Sequence, residues 1–325
     1  MQRGVLCGIL AGAFWGVIFL VPRQLPDFSP LQLSAGRYMM YGLVSLVALL
    51  PMVRRVVPRF TRADLAALVK LALAGNLVYY LFVAAAVQYA GIAPASLIVG
   101  VLPVTTTFFA RHDLGAASFA RLVWPLLMIA AGIACINIDV FSFSSAAVHT
   151  HVSVPMKLAG VCCAVAALTC WTWFSVENAR YLQRKPHFSS NEWSVLWGVV
   201  TGTLGALLWL GFALLPAGSL HPAASPTRWH TFWLLNLGLA IGASWLGNSL
   251  WNAAARRLPL TLSGQMIVFE TLFALLYGFI YEHRLPRVPE VAAIVLLIVG
   301  VIWSVRQHAD EPRTSQAELP IAHGE

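Results

Sequence analysis

The sequence predicts an all-α, polytopic membrane protein with ten transmembrane helices arranged as two inverted repeats of five. Three features lead there. Of 325 residues, 59% are hydrophobic and only 10% charged, where a soluble domain has roughly 25% charged. Ten apolar stretches, each of about 20 residues and so able to cross a hydrocarbon core of roughly 30 Å, recur along nearly the whole chain. They divide five and five, and an odd number per half sets the halves in opposite orientations.

Helix is the form expected for every stretch. Unpaired backbone groups are too costly in lipid, and barrel strands would alternate polar with apolar, which these stretches do not. The first, 4–21, follows Arg3 and contains Ala11-Gly12-Ala13, as a signal peptide would. Its apolar run nevertheless continues to Val21, so it is kept as helix one. Gly4, Gly8, Gly12 and Gly16 recur there every fourth residue, a GxxxG series that lets another helix approach closely, and Trp15 stands beside it.

Helix two, 31–50, carries Arg37, and helix three, 64–88, carries Lys70. Both lie roughly 10 Å inside their ends at about 1.5 Å per residue, shallow enough to snorkel. Helix three also sets Asn76 and Tyr80 one turn apart. Helices four, 94–110, and five, 118–138, complete the first repeat. Helix six, 156–178, holds Glu177 near Arg180 at its cytoplasmic end, and helix seven is 193–214.

In helix eight, 229–255, Trp245, Asn248 and Asn252 share a narrow arc. Amides in a membrane need partners, either a neighbouring helix or a ligand. Helix nine, 259–280, contains Glu270 in an otherwise apolar run, and helix ten is 288–305. The first repeat is thus 1–140, an external connecting loop 141–155, the second repeat 156–306, and a disordered cytoplasmic tail 307–325.

Basic residues fix the orientation, because short cytoplasmic loops hold an excess of Lys and Arg. With the N-terminus inside, the inner ends hold 14 of them and the outer side 5. Both termini are therefore expected in the cytoplasm, and the setting is the cell membrane, taken as a bacterial inner membrane. The net charge of +8 is this asymmetry and not a nucleic-acid footprint. The five cysteines lie in apolar segments without metal spacing, so neither disulfide framework, metal nor cofactor is expected.

Enzymatic classes find no support. Lys70, Lys157 and Lys185 are followed by Leu, Leu and Pro, so the phosphate-cradling GxxxxGK[ST] loop of an ATPase is missing. An intramembrane hydrolase needs a Ser-His pair, two aspartates or a metal motif at depth, and none is seen.

Glu270 is the residue out of place. A charge at the bilayer centre costs a few kcal/mol on insertion scales, so such residues face a cavity or a partner. The bland reading is a protonated carboxyl hydrogen-bonded as packing glue; the functional one is a proton- or substrate-binding group. Ser263, Glu270 and Tyr277 recur every seven residues and would turn one polar face inward. Sliding the chain by 168 residues lays Ala85-Ala86 on Ala253-Ala254 and Gly132 on Gly300, as an inverted repeat would.

The segments AGAFWGVIFLVPR, FSPLQLSAGRYMMYG, the Glu270 region, and YEHRLP followed by AAIVLLIVGVIW resemble the drug/metabolite transporter superfamily, EamA-like branch. Trp15-Gly16 matches that family's Trp-Gly in helix one, Arg37 its helix-two arginine, Glu270 the acid of a helix-nine Glu-Pro pair, and Glu282 the acid before the last helix. Here the pair is split, with Glu270-Thr271 in one half and Leu102-Pro103 in the other, and His283 adds a residue before Arg284-Leu285.

The resemblance implies a transporter that alternates access around a midplane cavity lined by helices one, three, four, six, eight and nine. The expected function is secondary active transport of small metabolites, as an exporter of amino acids or related compounds, with protons coupled through Glu270. Alternatives are multidrug or amine efflux, or a non-transporting membrane protein such as a scramblase or accessory subunit. The expected substrate-binding set is Glu270, Asn248, Asn252, Trp245, Asn76, Tyr80, Trp15, Ser263, Tyr277 and Arg37. Its partners would be the small-molecule substrate, the lipid bilayer and protons, in a monomer or homodimer.

The charge asymmetry makes the topology testable. A reporter fused after Arg306 should behave as cytoplasmic, and one inserted between Phe141 and Val154 as external; a cytoplasmic result for that loop would put the helix count wrong by one.

Overall fold

The computed structural model describes residues 1–91, 95, 98–110, 119–143, 154–184, 187–214, 225–281 and 283–309. Most of the expected connecting loop and tail, and Glu282, lie outside the described residues. Among those described there is helix and no strand. The helices are α1 (Gln2–Gln24), α2 (Pro30–Arg59), α3 (Arg62–Ala90), α4 (Leu102–Phe109), α5 (Phe119–Phe143), α6 (Val154–Arg184) and α7 (Ser190–Ala213). They continue with α8 (Pro226–Leu239, Ala240–Gly247 and Asn248–Ala255 in succession), α9 (Leu260–Tyr281) and α10 (Val288–Ala309).

Seven of these, α1, α2, α3, α6, α7, α9 and α10, are long and apolar enough to cross a membrane. In α4 and α5 the apolar runs are shorter, Ile98–Phe109 and Ala120–Gly132. Trp, Asn, His and Arg side chains lower the mean hydropathy of α8.

Helix starts are written locally. Ser29 accepts from the Gln32 backbone N–H at 3.2 Å while Gln32 accepts from the Ser29 backbone at 2.9 Å. Thr61 with Asp64 and Ser189 with Glu192 repeat this reciprocal cap at α3 and α7. Each satisfies donors that the first helical turn leaves without partners. In the last part of α2, Pro51 and Pro58 break the chain into short turns before α3 begins.

Packing is set by small residues where backbones meet. The GxxxG series of α1 lies along α9: Gly8 against Met266, Gly12 against the Phe269–Glu270 backbone, and Gly16 against Phe273 and Ala274. Gly42 of α2 and Gly202 of α7 meet backbone to backbone, and α5 and α10 cross through Gly132 and Gly300. Such contacts supply dispersion energy where lipid removes any hydrophobic drive between helices.

Several features recur in pairs. Gly4 touches Leu258 and Gly160 touches Ala90, and a shift of 168 residues carries Ala90 onto Leu258 as it carries Gly132 onto Gly300. Two widened, π-helical turns interrupt the bundle, Leu73–Leu77 in α3 and Ala240–Gly247 in α8. The same shift lays the first within the second, and Asn76 on Ser244. A π-turn displaces the backbone ladder and frees groups for other bonds, which is why such turns concentrate at functional sites.

A Cβ on Gly12 would sit 2.7 Å from Phe269 Cβ and 2.8 Å from the Glu270 backbone nitrogen. Gly12→Leu should therefore overpack the α1–α9 contact by about 1–3 kcal/mol or more and lower both monodisperse yield and melting temperature in detergent. Gly238→Leu, with nothing within 4 Å of the added carbon, should leave both near wild type. Equal behaviour of the two variants would overturn this packing account.

Candidate functional site

A cavity of about 20 Å³ lies between α1, α2, α3, α6, α7, α8 and α9, room for one or two waters. Its polar lining consists of Arg37, Asn76, Asn248 and Glu270 with Tyr38 and Tyr79. Trp15, Trp171, Phe174 and Trp197 supply aromatic walls. Helix four, which the resemblance implied in the lining, contributes no residue to this cavity, while α2 and α7 do. Short α4 is held aside: Thr105 pairs with Thr172 of α6 at 2.8 Å, and Thr107 donates to the Thr261 carbonyl of α9 at 3.3 Å.

Two opposite charges share the cavity. Arg37 is 4% and Glu270 5% exposed, and neither forms an ion pair among the described residues. Arg37 does not snorkel. Its guanidinium carbon lies 4.5 Å from the Tyr80 ring centroid and 5.0 Å from that of Tyr38, and Nε donates to Ser244 Oγ at 3.3 Å. Its Nη1 is buried without an acceptor. The packing-glue reading of Glu270 requires a protein partner for its carboxyl group, and among the described residues that group makes no hydrogen bond. Lys70, by contrast, is exposed, and Glu177 pairs with Arg180 at 2.9 Å near the end of α6.

The aromatic walls are braced against one another. Trp15 meets Trp171 edge-on at 5.3 Å, and Phe174 stacks on Trp197 at 4.6 Å. Both π-turns supply polar braces. Trp15 Nε1 donates to the Ala243 carbonyl at 2.9 Å, and Asn76 Nδ2 donates to Thr201 Oγ1 at 3.0 Å. Each π-turn thus carries one group that braces the cavity or its walls.

Of the expected site residues, Trp15, Arg37, Asn76, Asn248 and Glu270 line the cavity, and Tyr80 lies beneath Arg37. The other four do not. Asn252 accepts from Asn178 Nδ2 at 2.9 Å, and Trp193 Nε1 donates to Asn178 Oδ1, a structural bridge between α6, α7 and α8. Trp245 points to Asn191. Ser263 bonds to the Leu260 carbonyl of its own turn, and the Tyr277 hydroxyl donates to the Ala13 carbonyl of α1.

The reason is the same in both helices. An unbroken helical period put Trp245 with Asn248 and Ser263 with Glu270, but Ala240–Gly247 is π-helical and α9 is interrupted between Gln265 and Val268. Each irregularity resets the phase of the residues beyond it. Sequence reasoning missed Tyr38, Tyr79, Trp171, Phe174, Trp197 and Ser244, because aromatic residues in an apolar span carry no mark that separates cavity wall from packing.

A model of the EamA-like transporter family matches residues 2–138. The inner membrane protein YtfF of Escherichia coli (strain K12) is 33% identical over 326 residues, covering 97% of this chain and 98% of that one. A protein of known crystal structure shares the fold with a TM-score of 0.66 at 22% identity, over 95% of this chain and 98% of that chain.

The bridge through Asn178 makes Asn252 a stability residue. Asn252→Leu should lower the melting temperature by several degrees, since an interhelical hydrogen bond in a membrane contributes about 1 kcal/mol and the stranded Asn178 amide adds to the loss. An unchanged melting temperature with weakened substrate binding would restore Asn252 to the site.

Proposed function

This chain belongs to the EamA-like transporter family, and we propose that it is a ten-helix, inverted-repeat secondary transporter of the bacterial inner membrane that exports small zwitterionic metabolites of the amino-acid class. One observation carries the substrate class: an arginine and a glutamate, both buried and neither ion-paired among the described residues, lining the same aromatic-walled cavity. Each buried charge is costly without a partner. A zwitterion partners both, its carboxylate on the Arg37 fork and its ammonium on Glu270, while its side chain packs against Trp15, Trp171 and Trp197.

The paired features of the fold support the inverted repeat. Gly132 and Gly300, the two π-turns, and the matching contacts of Gly4 and Gly160 all obey fixed shifts. Drug-sized ligands occupy pockets of roughly 300–1,000 Å³. A cavity of about 20 Å³ therefore admits cargo only when the halves separate, which is what rocking of one repeat against the other provides. An asymmetry supports the same motion. Ser34 Oγ donates to the Leu77 carbonyl at 2.9 Å, whereas Ser194, its counterpart at a shift of 160 residues, has a buried hydroxyl with no partner among the described residues. In this mechanism the two halves exchange such bonds as access changes sides.

Glu270 couples the cycle to protons by holding the cargo's ammonium when ionised and a proton on the return step. Location in the inner membrane is supported by the name of the E. coli relative and by the apolar helices. A second reading has one observation in its favour: aromatic faces around a carboxylate also suit an organic amine.

Purified protein in proteoliposomes, supplied with a panel of amino acids and amines with and without a pH gradient, tests these readings. Glu270→Gln should insert normally, lose gradient-driven transport at least tenfold, and retain exchange of cargo across the membrane. Wild-type pH dependence in that variant would remove the coupling role, and equal transport of amines lacking a carboxylate would favour the second reading.

A further inference from the structure

We propose that Ser244 is a positioning residue that aims the Arg37 guanidinium into the cavity and so completes a carboxylate subsite opposite Glu270; the inference rests on the zwitterion reading above. Arginine has a long, rotatable stem, and here no acid among the described residues fixes its head. The guanidinium carbon lies over both the Tyr38 and Tyr80 rings, which stand edge-on to each other at 85°, so two aromatic faces in different directions confine it. Its orientation between those faces is left to the Nε bond to Ser244 Oγ. With Nε held there, Nη1 is left buried without an acceptor, a donor that the carboxylate of a cargo entering the opened cavity would satisfy.

Ser244 reaches Arg37 because of the π-turn. In a regular helix successive residues are about 100° apart, so removing the extra residue of Ala240–Gly247 would swing Ser244 away from α2. The adjacent residue in the same turn, Ala243, accepts from Trp15 Nε1. One turn of α8 thus holds both the guanidinium and an aromatic wall.

The repeat carries no second copy of this arrangement. At the shifts that relate the halves, Trp197 stands where Arg37 does, Leu102 where Glu270 does, and Asn76 where Ser244 does. Asn76 is already committed to Thr201. A symmetric frame therefore holds one anionic and one cationic subsite, and cargo binds in a single orientation.

The test is thermal unfolding of the purified full chain in detergent with L-leucine, L-phenylalanine or L-lysine, each beside its decarboxylated amine. In wild type, at least one amino acid should raise the melting temperature at lower concentration than its amine. Ser244→Ala should raise that half-saturating concentration about tenfold and leave the amine's unchanged, while Ser244→Thr, which keeps the hydroxyl, should behave as wild type. Ser244→Cys, of similar size and a weak acceptor, takes the place of Ala if the latter does not fold.

Equal weakening of amino acid and amine would make Ser244 a packing residue, and no weakening would remove it from the site. Failure of all three amino acids to stabilise wild type overturns the carboxylate subsite. Gradient-driven transport of an amine in the proteoliposome assay would then leave the transporter reading standing alone.

Discussion

The close approach of α1 to α9 is the contact on which the rest of this bundle depends. Three glycines at helical spacing, Gly8, Gly12 and Gly16, bring the α1 backbone against α9, and Gly12 touches the backbone of Glu270 itself. A side chain at that point would push away the helix that carries the buried acid. The same approach sets Trp15 beside α8, where Ala243 accepts its indole N–H. Position of the acid, position of the aromatic wall and tightness of the helix pair are thus consequences of one small-residue stripe.

Polar groups in the interior divide into two kinds. Asn178, Asn252 and Trp193 pair with one another and bridge three helices, although Asn252 Nδ2 is itself buried without a partner among the described residues. Arg37 and Glu270 are instead surrounded by rings, with a single hydroxyl as hydrogen-bond partner between them. Asn252 thus has a protein partner on a neighbouring helix, whereas Arg37 and Glu270 have no ionic partner among the described residues. Elsewhere several acids are paired: Glu192 with Arg55 at 2.8 Å and Arg59 at 2.9 Å, and Glu290 with Arg284 at 2.7 Å.

Those pairs also tie the two parts of the chain together at their ends. Arg59, at the end of α2, reaches both Glu192 and the His187 carbonyl at the start of α7, while Arg228 of α8 meets Asp27 and the Gln24 carbonyl near the end of α1. Ion pairs with exposed partners contribute little each, commonly below about 1 kcal/mol.

By itself the sequence determined the membrane class, seven of the ten expected apolar spans, the glycine stripe and the singular position of Glu270. These depend on composition and short spacings, which need no knowledge of neighbours. Tertiary structure alone decided which polar residues face the cavity. Asn248 and Asn252 are the same residue type one turn apart, and only Asn252 finds Asn178 across from it. The π-turns and the break in α9 have no letter of their own: a helix widens where new hydrogen bonds to its displaced groups outweigh a lost ladder bond, and the partners in those bonds lie on other helices. That is why a period read from an unbroken helix placed Trp245 and Ser263 in the site, and why Ser244 became visible only once Arg37 was seen beside it.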